Sequence, residues 1–446
     1  MSVPIANSLN LVVGGLGLLL VYYFVFAIYN VFFHPLSKYP GPKVAAASHI
    51  PHAIQIFRGK APFWIKDLHD RYDAEVVRIS PHELSFINAS AWKGFHGTRQ
   101  GHASLEKDPA VYRKPPNSVA SLLTADRVDH TRMKRVLGHA FSDRAIREQE
   151  PIVESYVDLL INRLQGQIHG SNYGKVDISN WFRWTAFDIA GDLSFGESFG
   201  CLQSQKLHAW AKMIDGFLRA DVCLAACNRF STFRYFLPHL VPRKTREMMR
   251  DHWSMTVEKL SRRMKLGAKR PDFISPIIKY NEEGKGLSMG EIQSNASLFI
   301  VAGSDTTATV LTGTIYHLLQ NPVCLAKLTR EVRNAFKGES EITSQSVGRL
   351  PYTIACLDET HRVYPAILLG QAVITPPEGD FIGDKWIPGN TGLNINMYAA
   401  YRSARNFKHP DSYIPERWLG HPRFVNDQRE VFHPFSYGHR ACLGKK

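Results

Sequence analysis

The sequence has few cysteines and no recognisable zinc-binding motif, and these absences remove several classes of protein. Six cysteines are scattered over 446 residues, whereas a secreted disulfide scaffold is short and dense in cysteine, so a reducing compartment is favoured. No CxxC motif is accompanied by a second CxxC or by an HxxxH spacing, which argues against a structural zinc site. No internal repeat and no long Gly/Ser linker divides the chain, so one large folded unit is expected.

Charge is missing from the amino-terminal end, where Lys38 is the first charged side chain. Residues 11–33 are almost entirely apolar, and about 20 such residues in a helix span the hydrocarbon core of a membrane. Lys38 and Lys43 follow this run and place the downstream chain on the cytoplasmic side. A removed leader and a buried core helix are the alternatives.

Three prolines in residues 34–43 predict a stiff extended tether after the apolar run, because proline fixes φ and removes a helix donor. The predicted organisation is therefore a membrane anchor at 1–33, a tether at 34–43 and a folded domain at 44–446.

The rest of the chain has ample apolar surface and an excess of positive charge. Hydrophobic side chains make up 44% of the sequence and charged ones 21%, which excludes a disordered protein. The net charge of +14, from 54 basic and 40 acidic residues, suits an anionic membrane face, an acidic protein partner or a nucleic acid. The basic residues are dispersed and accompany no motif that reads nucleic acid, so we expect no nucleic-acid role.

Helical periodicity dominates the middle of the chain, with short strand-like runs on both flanks. The segments with the apolar spacing of helices are residues 129–141, 147–164, 177–195, 206–217, 245–266 and 288–320. The strand-like runs are residues 74–79, 84–87, 371–374 and 392–397. The sequence therefore predicts a mainly α fold with small β-sheets.

The longest predicted helix carries an unusual cluster at its centre. It begins at a capping box formed by Ser288 and Glu291 and ends before Pro322. Residues 302–307 read Ala-Gly-Ser-Asp-Thr-Thr, and all but the alanine are poor helix formers. We therefore expect the helix to bend there or to open its hydrogen bonding to hold a ligand or water. Close helix packing against small residues is the alternative.

Two further motifs lie downstream. A second helix over residues 350–364 places Glu359 and Arg362 on one face, where they can pair. Residues 435–444 read FSYGHRACLG, so glycines flank Cys442 and Arg440 lies two residues before it. Such a loop can point backbone amides at the sulfur, and the arginine favours a thiolate. The loop therefore suits presentation of a thiolate to a metal.

These elements, in this order and spacing, resemble the haem-thiolate monooxygenases of the cytochrome P-450 superfamily. The loop matches the family signature F-x-x-G-x-R-x-C-x-G at Phe435, Gly438, Arg440, Cys442 and Gly444. The short helix matches E-x-x-R at Glu359 and Arg362. Residues 302–307 match the oxygen-activation motif A-G-x-D-T-T, and residues 415–418 match P-E-R-[FW]. The resemblance runs from the proline-rich segment to residue 446. Within the family, the sequence looks most like the microsomal enzymes of fungi.

The resemblance implies the fold and a role for each motif residue. A cytochrome P-450 fold would place haem between the long helix and the cysteine loop, with Cys442 as the axial thiolate ligand of the iron. Asp305 and Thr306 would manage protons and a water beside bound dioxygen. The implied structural triad consists of Glu359, Arg362 and Arg417. The implied haem-binding residues are Arg440, Lys134, His130, Phe435, Gly438 and Gly444.

Two departures from the family pattern are visible. Many relatives carry a Pro-Arg pair after the short helix, with the arginine on a haem propionate, whereas residues 370–373 here read Gly-Gln-Ala-Val. One cationic haem contact is therefore expected to be absent. In relatives the cysteine loop also leads into a long helix and a β-hairpin, which we expect this sequence to lack, with weak haem retention as the consequence.

The implied activity is insertion of one oxygen atom from dioxygen into a hydrophobic small molecule in secondary metabolism, with haem b as the cofactor. The predicted pocket walls are residues 100–125, 218–235, 299–306 and 366–369, which are apolar enough for a lipophilic substrate. A haem-thiolate isomerase or dehydratase, which needs no reductase, is one alternative. A truncated inactive relative, or an incomplete chain of an active enzyme, is the other.

Electrons would come from NADPH through a flavoprotein NADPH-cytochrome reductase. Its acidic surface would suit the basic residues Arg132, Arg135, Lys445 and Lys446. The implied location is the endoplasmic reticulum membrane, with a single span and a cytosolic catalytic domain.

Overall fold

The computed structural model describes residues 3–99, 102, 104–168, 174–230, 241–284 and 286–445, and most of this chain is helical. The helices are α1 (Val3–Ile28), α2 (Lys43–Ala47), α3 (Ile50–Phe57), α4 (Ala61–Tyr72), α5 (Ala89–His96), α6 (Arg127–Leu137), α7 (Asp143–Gln167), α8 (Ile178–Phe195), α9 (Cys201–Ser204), α10 (Ala209–Asn228), α11 (Arg243–Met264), α12 (Ser275–Glu282), α13 (Met289–Gln320), α14 (Pro322–Ala335), α15 (Ser344–Val347), α16 (Pro351–Val363) and α17 (Met397–Tyr401). The strands are β1 (Val76–Ser80), β2 (Glu83–Phe86), β3 (Glu106–Lys107), β4 (Val373–Ile374), β5 (Asp380–Ile382), β6 (Lys385–Ile387) and β7 (Gly392–Ile395). The predicted mainly α fold with small sheets is confirmed.

Strands from both flanks of the helical region form one sheet in the order β1-β2-β7-β4-β3. β2 pairs in parallel with β7, whereas the other neighbours are antiparallel. The strand-like runs near residues 80 and 390 therefore lie side by side, a pairing that periodicity alone does not reveal. At the β3 edge, Lys107 is opposite Val373. β5 and β6 form a separate hairpin.

The long helix α13 crosses one large apolar cluster, to which α6, α8 and α12 also contribute, while another large cluster covers the sheet. Its capping box is present, with the Ser288 side chain accepting from the Glu291 N–H and the Glu291 carboxylate accepting from the Ser288 N–H. The helix continues without interruption through residues 302–307. The Ser304, Thr306 and Thr307 hydroxyls donate to carbonyls four residues earlier, at 2.7, 2.7 and 3.1 Å.

The expectation that α13 opens its hydrogen bonding at this cluster is therefore wrong, whereas a bend there stays a prediction. Hydroxyls that bond back to the preceding turn are satisfied without leaving the helix, and such bonds often bend a helix rather than break it.

The proline-rich segment is not an extended tether, so the prediction of a stiff extended tether at residues 34–43 is wrong. Residues Pro35–Lys38 form a 3-10 turn, and α2 begins at Lys43. Proline fits the first position of such a turn because the N–H it lacks has no helical partner there. Leu36 is fully buried in the apolar cluster under the sheet, and the Arg78 N–H donates to the Pro40 carbonyl at 2.8 Å. The segment is therefore packed onto β1.

The amino-terminal helix α1 is apolar, and its described side chains are mostly exposed. Among the described residues, two helical stretches are long and apolar enough to cross a membrane, Val13–Phe33 and Met289–Gln320. Their mean hydropathies are 2.1 and 1.3, and the first is 6% buried against 33% for the second. The second is α13, the core helix of the body, so only the amino-terminal stretch has the exposure of a membrane-facing helix.

Candidate haem-thiolate site

The Cys442 loop is a tight backbone turn in which glycine is required at Gly438. Gly438 has φ +69°, and a Cβ there would collide with the His96 carbonyl oxygen. A Cβ at Gly444 would make only an ordinary contact, 3.8 Å from the Cys442 sulfur. The Cys442 N–H donates to the Phe435 carbonyl at 2.8 Å and closes the loop.

The Cys442 thiol is exposed, although it lies within the body of the protein. The surrounding protein desolvates the thiol and raises its pKa, while the Gly444 N–H and the Lys134 charge act in the opposite direction. The thiol is therefore accessible to solvent although protein surrounds most of it. Leu443 packs against the large apolar cluster that α13 crosses.

The structure brings the three basic residues predicted to bind haem to this loop. The Lys134 ammonium donates to the His439 carbonyl at 2.5 Å and to the Ala441 carbonyl at 3.2 Å. Arg440 is buried, and its guanidinium donates to the Ala125 carbonyl at 3.0 Å and to the Glu106 carboxylate at 3.1 Å. The His130 ring lies 5.6 Å from the His439 ring. Lys134 is thus bound to the loop backbone, whereas Nε of Arg440 and Nδ1 of His130 have no hydrogen-bond partner.

Several buried polar atoms beside the loop have no hydrogen-bond partner, and these atoms test whether the site fits haem. They are Nδ1 and Nε2 of His96, Nδ1 of His130, Nε2 of His439 and Nε of Arg440. Buried polar atoms are normally satisfied, so each such atom calls for an explanation. The Ser436 hydroxyl and the Gln371 Oε1 also lack partners there, but most of these atoms belong to basic residue types, which fits an anionic group such as the carboxylates of haem. The residues present therefore fit the cofactor.

The predicted triad forms one buried cluster, and all three side chains are at most 1% exposed. Glu359 accepts two bonds from Arg362, at 2.8 and 2.9 Å, and one from Arg417 at 3.1 Å. The remaining donors of Arg362 reach the Tyr401, Pro410 and Ser412 carbonyls, and Arg417 also pairs with Asp427. The structural role of the triad stays a prediction, and this fully paired geometry agrees with it.

Asp305 and Thr306 lie in successive positions on α13 but have different partners. The Thr306 hydroxyl donates to the Ala302 carbonyl within the helix. Arg183 of α8 donates to the Asp305 carboxylate at 3.3 Å and also pairs with Asp215 of α10. Desolvation raises the pKa of Asp305, and the Arg183 charge partly offsets that rise. The sequence reasoning missed Arg183, because nothing in the local pattern of α8 points to a residue 122 positions downstream.

The residues predicted to face the reductase differ in their ion pairs and in their exposure. Arg132 pairs with Asp129 and Glu291, so its charge is already satisfied within the protein. Arg135 and Lys445 are exposed, and Lys446 lies outside the described residues.

Parts of the predicted pocket walls also lie outside the described chain, namely residues 100, 101, 103 and 231–235. In the described parts, Ala302 and Gly303 of α13 are exposed, as is Ile367 of the 366–369 segment. Apolar and small surface is therefore available on two of the predicted walls.

A helical body, a long central helix and a cysteine loop beside it define a protein of the haem-thiolate class. Comparison with known proteins agrees, since the family model described as "Cytochrome P450" matches residues 49–446. The chain belongs to the cytochrome P-450 family and is by family a haem-thiolate monooxygenase, which implies haem with a cysteine thiolate ligand to its iron.

Three fungal relatives illustrate the likeness. Cytochrome P450 monooxygenase astA of Talaromyces wortmannii is 44% identical over 97% of this chain and 87% of the relative. Cytochrome P450 monooxygenase lcsI of Purpureocillium lilacinum is 41% identical over 96% of this chain and 83% of the relative. Averantin hydroxylase of Dothistroma septosporum is 38% identical over 97% of this chain and 81% of the relative. The predicted family is confirmed.

Proposed function

We propose that the protein inserts one oxygen atom from dioxygen into a lipophilic small molecule of fungal secondary metabolism, using electrons from NADPH. The observation that supports the proposal is the packing of the Cys442 loop, through Leu443, against the apolar cluster that α13 crosses, and Asp305 and Thr306 lie on that helix. The likeness to a relative named averantin hydroxylase supports hydroxylation of a small molecule, without identifying the compound.

The residues of this chain would divide the work as follows. Haem b held by the Cys442 thiolate would supply dioxygen activation, since an axial thiolate favours cleavage of the O–O bond. Arg440, His130 and His96 would orient the carboxylates of the cofactor through their free donors. Asp305 would exchange protons during the reaction, and the Arg183 guanidinium, which donates to its carboxylate at 3.3 Å, would position it. The Thr306 hydroxyl can turn from the Ala302 carbonyl to a water or substrate.

Reconstitution of the purified full chain with a NADPH-cytochrome reductase tests this function. We expect a product that carries one atom from isotopically labelled dioxygen and forms only with NADPH. The haem-loaded, reduced protein is expected to give the carbon monoxide absorption band of a thiolate-ligated haem, and Cys442→Ser should lose that band. Turnover that needs neither NADPH nor dioxygen would instead indicate an isomerase or dehydratase and contradict the proposal.

We further propose a single amino-terminal membrane anchor, with the catalytic body on the cytosolic face of the endoplasmic reticulum. The support is the apolar stretch Val13–Phe33, whose side chains are largely exposed. Ile50, Ile54 and Phe57 extend this exposed apolar surface along one face of α3. Alkaline extraction of membranes that contain the full chain tests the anchor. Wild type should stay in the pellet, whereas the double variant Leu18→Lys/Leu20→Lys should move to the supernatant.

Val128→Lys is the matched control, because Val128 is 76% exposed on α6, comparable with 75% for Leu18 and 71% for Leu20. This control should remain in the pellet. Extraction of the wild type by alkali would overturn the anchor without affecting the proposed reaction.

A further inference from the structure

The carboxyl-terminal end of the apolar stretch Val13–Phe33 is packed into the body of the protein. Arg78 of β1 is buried, and its guanidinium donates to the Asn30 carbonyl at 2.8 Å and to the Pro81 carbonyl at 2.7 Å. Asn30 itself is fully buried. A Cβ at Gly41 would collide with the Arg78 carbonyl oxygen, so the chain that follows also lies directly against β1. The junction between the apolar stretch and the body is therefore fixed by contacts.

A series of aromatic rings continues from this junction to the end of α10. The ring centroid of His82 lies 6.1 Å from that of Phe26 and 5.0 Å from that of His34. The His82 ring also lies 6.3 Å from the His49 ring, which in turn lies 5.8 Å from the Phe230 ring. Aromatic pairs interact at separations of about 4.5–7 Å. Because Phe230 follows α10 directly after Arg229, these rings connect the apolar stretch to the end of that helix.

Ion pairs hold the same end of α10 against the sheet. Arg229 pairs with Glu83 of β2 and with Asp108, the latter at 3.2 Å, and both carboxylates are at most 3% exposed. Glu83 also contacts Nδ1 of His52 on α3, at 3.0 Å. Moving Arg229 away would leave two buried carboxylates without their counter-charge, which is strongly unfavourable. The end of α10 is therefore attached both to the sheet and to the junction.

We infer that the amino-terminal anchor and the end of α10 form one unit of local stability, so that membrane insertion of the anchor orders this wall of the substrate pocket. The inference rests on the proposed anchor and on the predicted pocket wall at residues 218–235. Elements that pack together open together in local unfolding. A ligand that orders one of them lowers the cost of ordering the other. The lipid bilayer is that ligand here, and His82 is the positioning residue between the two elements.

Hydrogen exchange followed by mass spectrometry tests this coupling on the full chain in phosphatidylcholine nanodiscs. In His82→Ala we expect the amides of residues 224–230 to exchange about 10-fold faster than in wild type, within the range of interaction energies between contacting residues. The amides of α16 should keep the wild-type rate, which separates the effect from global destabilisation. The matched control is His421→Ala, because His421 is an exposed imidazole that stacks on Phe424 at 5.8 Å instead. This control should leave residues 224–230 unchanged.

A conservative variant and a combined variant sharpen the test. Desolvation lowers the pKa of His82, so its ring is neutral near pH 7, and His82→Phe should keep the wild-type exchange because it preserves the ring contacts. The anchor variant Leu18→Lys/Leu20→Lys, which stays outside the nanodisc, should match His82→Ala at residues 224–230. Combining the anchor variant with His82→Ala should add nothing further, whereas lipid that only shielded α10 would give additive effects.

Five results would overturn the inference. They are unchanged exchange at residues 224–230 in His82→Ala, unchanged exchange there in the anchor variant, equal acceleration in α16, failure of His82→Phe to keep the protection, and additive effects in the combined variant. Absence of turnover that depends on NADPH and dioxygen would instead overturn the proposed reaction and leave the exchange results unaffected, so the two failures are distinguishable.

Discussion

Two buried clusters of charge lie within this fold, and they differ in whether their members are paired. In the Glu359–Arg362–Arg417 cluster one carboxylate serves two guanidinium groups, and the remaining arginine donors reach backbone carbonyls or Asp427. In the basic cluster, which consists of Lys107, Arg440, His96, His130 and His439, buried nitrogen atoms stay without partners. Arg440, His96 and His130 are buried like the first cluster, whereas Lys107 and His439 are half-buried.

The contrast separates scaffold from binding site. A buried ion pair that satisfies all of its donors stabilises a fixed arrangement of backbone, whereas unsatisfied buried cations raise the free energy of the folded chain until an anion arrives. We therefore expect substitutions in the paired cluster to act on folding. Substitutions in the basic cluster should act on cofactor retention.

The largest effect is expected from Glu359→Gln. It leaves Arg362 and Arg417 buried without a counter-charge, and breaking a buried pair in this way costs about 3–5 kcal/mol of unfolding free energy. Urea unfolding of the haem-free protein, followed by circular dichroism, measures the loss. The control is Glu148→Gln, because Glu148 pairs only with the exposed Arg144 on α7. Equal midpoints for wild type and Glu359→Gln would show that the paired cluster is not scaffold.

Arg183→Gln probes a residue intermediate between the fully paired cluster and the basic cluster. Arg183 is paired with Asp305 and Asp215 but remains partly exposed. Desolvation already raises the pKa of Asp305, and Arg183 opposes that rise. Removing the guanidinium should therefore raise the pKa further, so the carboxylate is protonated up to a higher pH. We expect the acidic limb of the pH–turnover profile to move to higher pH, with folding little changed.

The exposed Arg144→Gln is the control for this profile and should leave the limb in place. A limb that does not move in Arg183→Gln would mean that Arg183 does not position Asp305 for the reaction.

The two clusters also differ in how far the sequence could predict them. Glu359 and Arg362 are one helical turn apart and match a short motif, so their pairing could be predicted from spacing alone. Cys442 and its glycines are likewise contiguous, and the strain at Gly438 is local. Lys107, by contrast, reaches the loop only because β3 pairs with β4, more than 260 residues later in the chain. Nothing in the local sequence of a two-residue strand specifies that partner.

The predictions for the proline-rich segment and for open hydrogen bonding at the centre of α13 were wrong for a different reason. In the proline-rich segment, Leu36 gains a buried contact that orders a 3-10 turn, so tertiary packing overrode a local preference. In α13, the hydroxyls of residues 304, 306 and 307 bond within their own helix, so local side-chain bonds that a propensity scale does not count keep the helix continuous.

A pH dependence of stability should separate the clusters more finely. Desolvation and the Arg440 charge lower the pKa of Lys107 from 10.5 to about 7. Between these values the unfolded chain binds the lysine proton and the folded haem-free protein does not, so the unfolding free energy should rise with pH from about 7 upward. Urea midpoints at several pH values, for wild type and Lys107→Gln, measure the lysine contribution as the difference between two slopes. Lys93→Gln, at the surface, should keep the wild-type slope. Identical slopes for wild type and Lys107→Gln would contradict the lowered pKa of Lys107 in the folded protein.

The smallest effect, and one of opposite sign, is expected from Glu106→Gln. Glu106 is half exposed and pairs with Arg440 at 3.1 Å, so it competes with a haem carboxylate for that guanidinium. An exposed or half-exposed pair contributes at most about 1 kcal/mol, which corresponds to roughly fivefold. The variant should therefore lose protohaem up to about fivefold more slowly than wild type, while its haem-free form unfolds at slightly lower urea. Faster haem loss would instead make Glu106 part of the scaffold that holds Arg440, because a carboxylate that only competed with the cofactor could not slow its release.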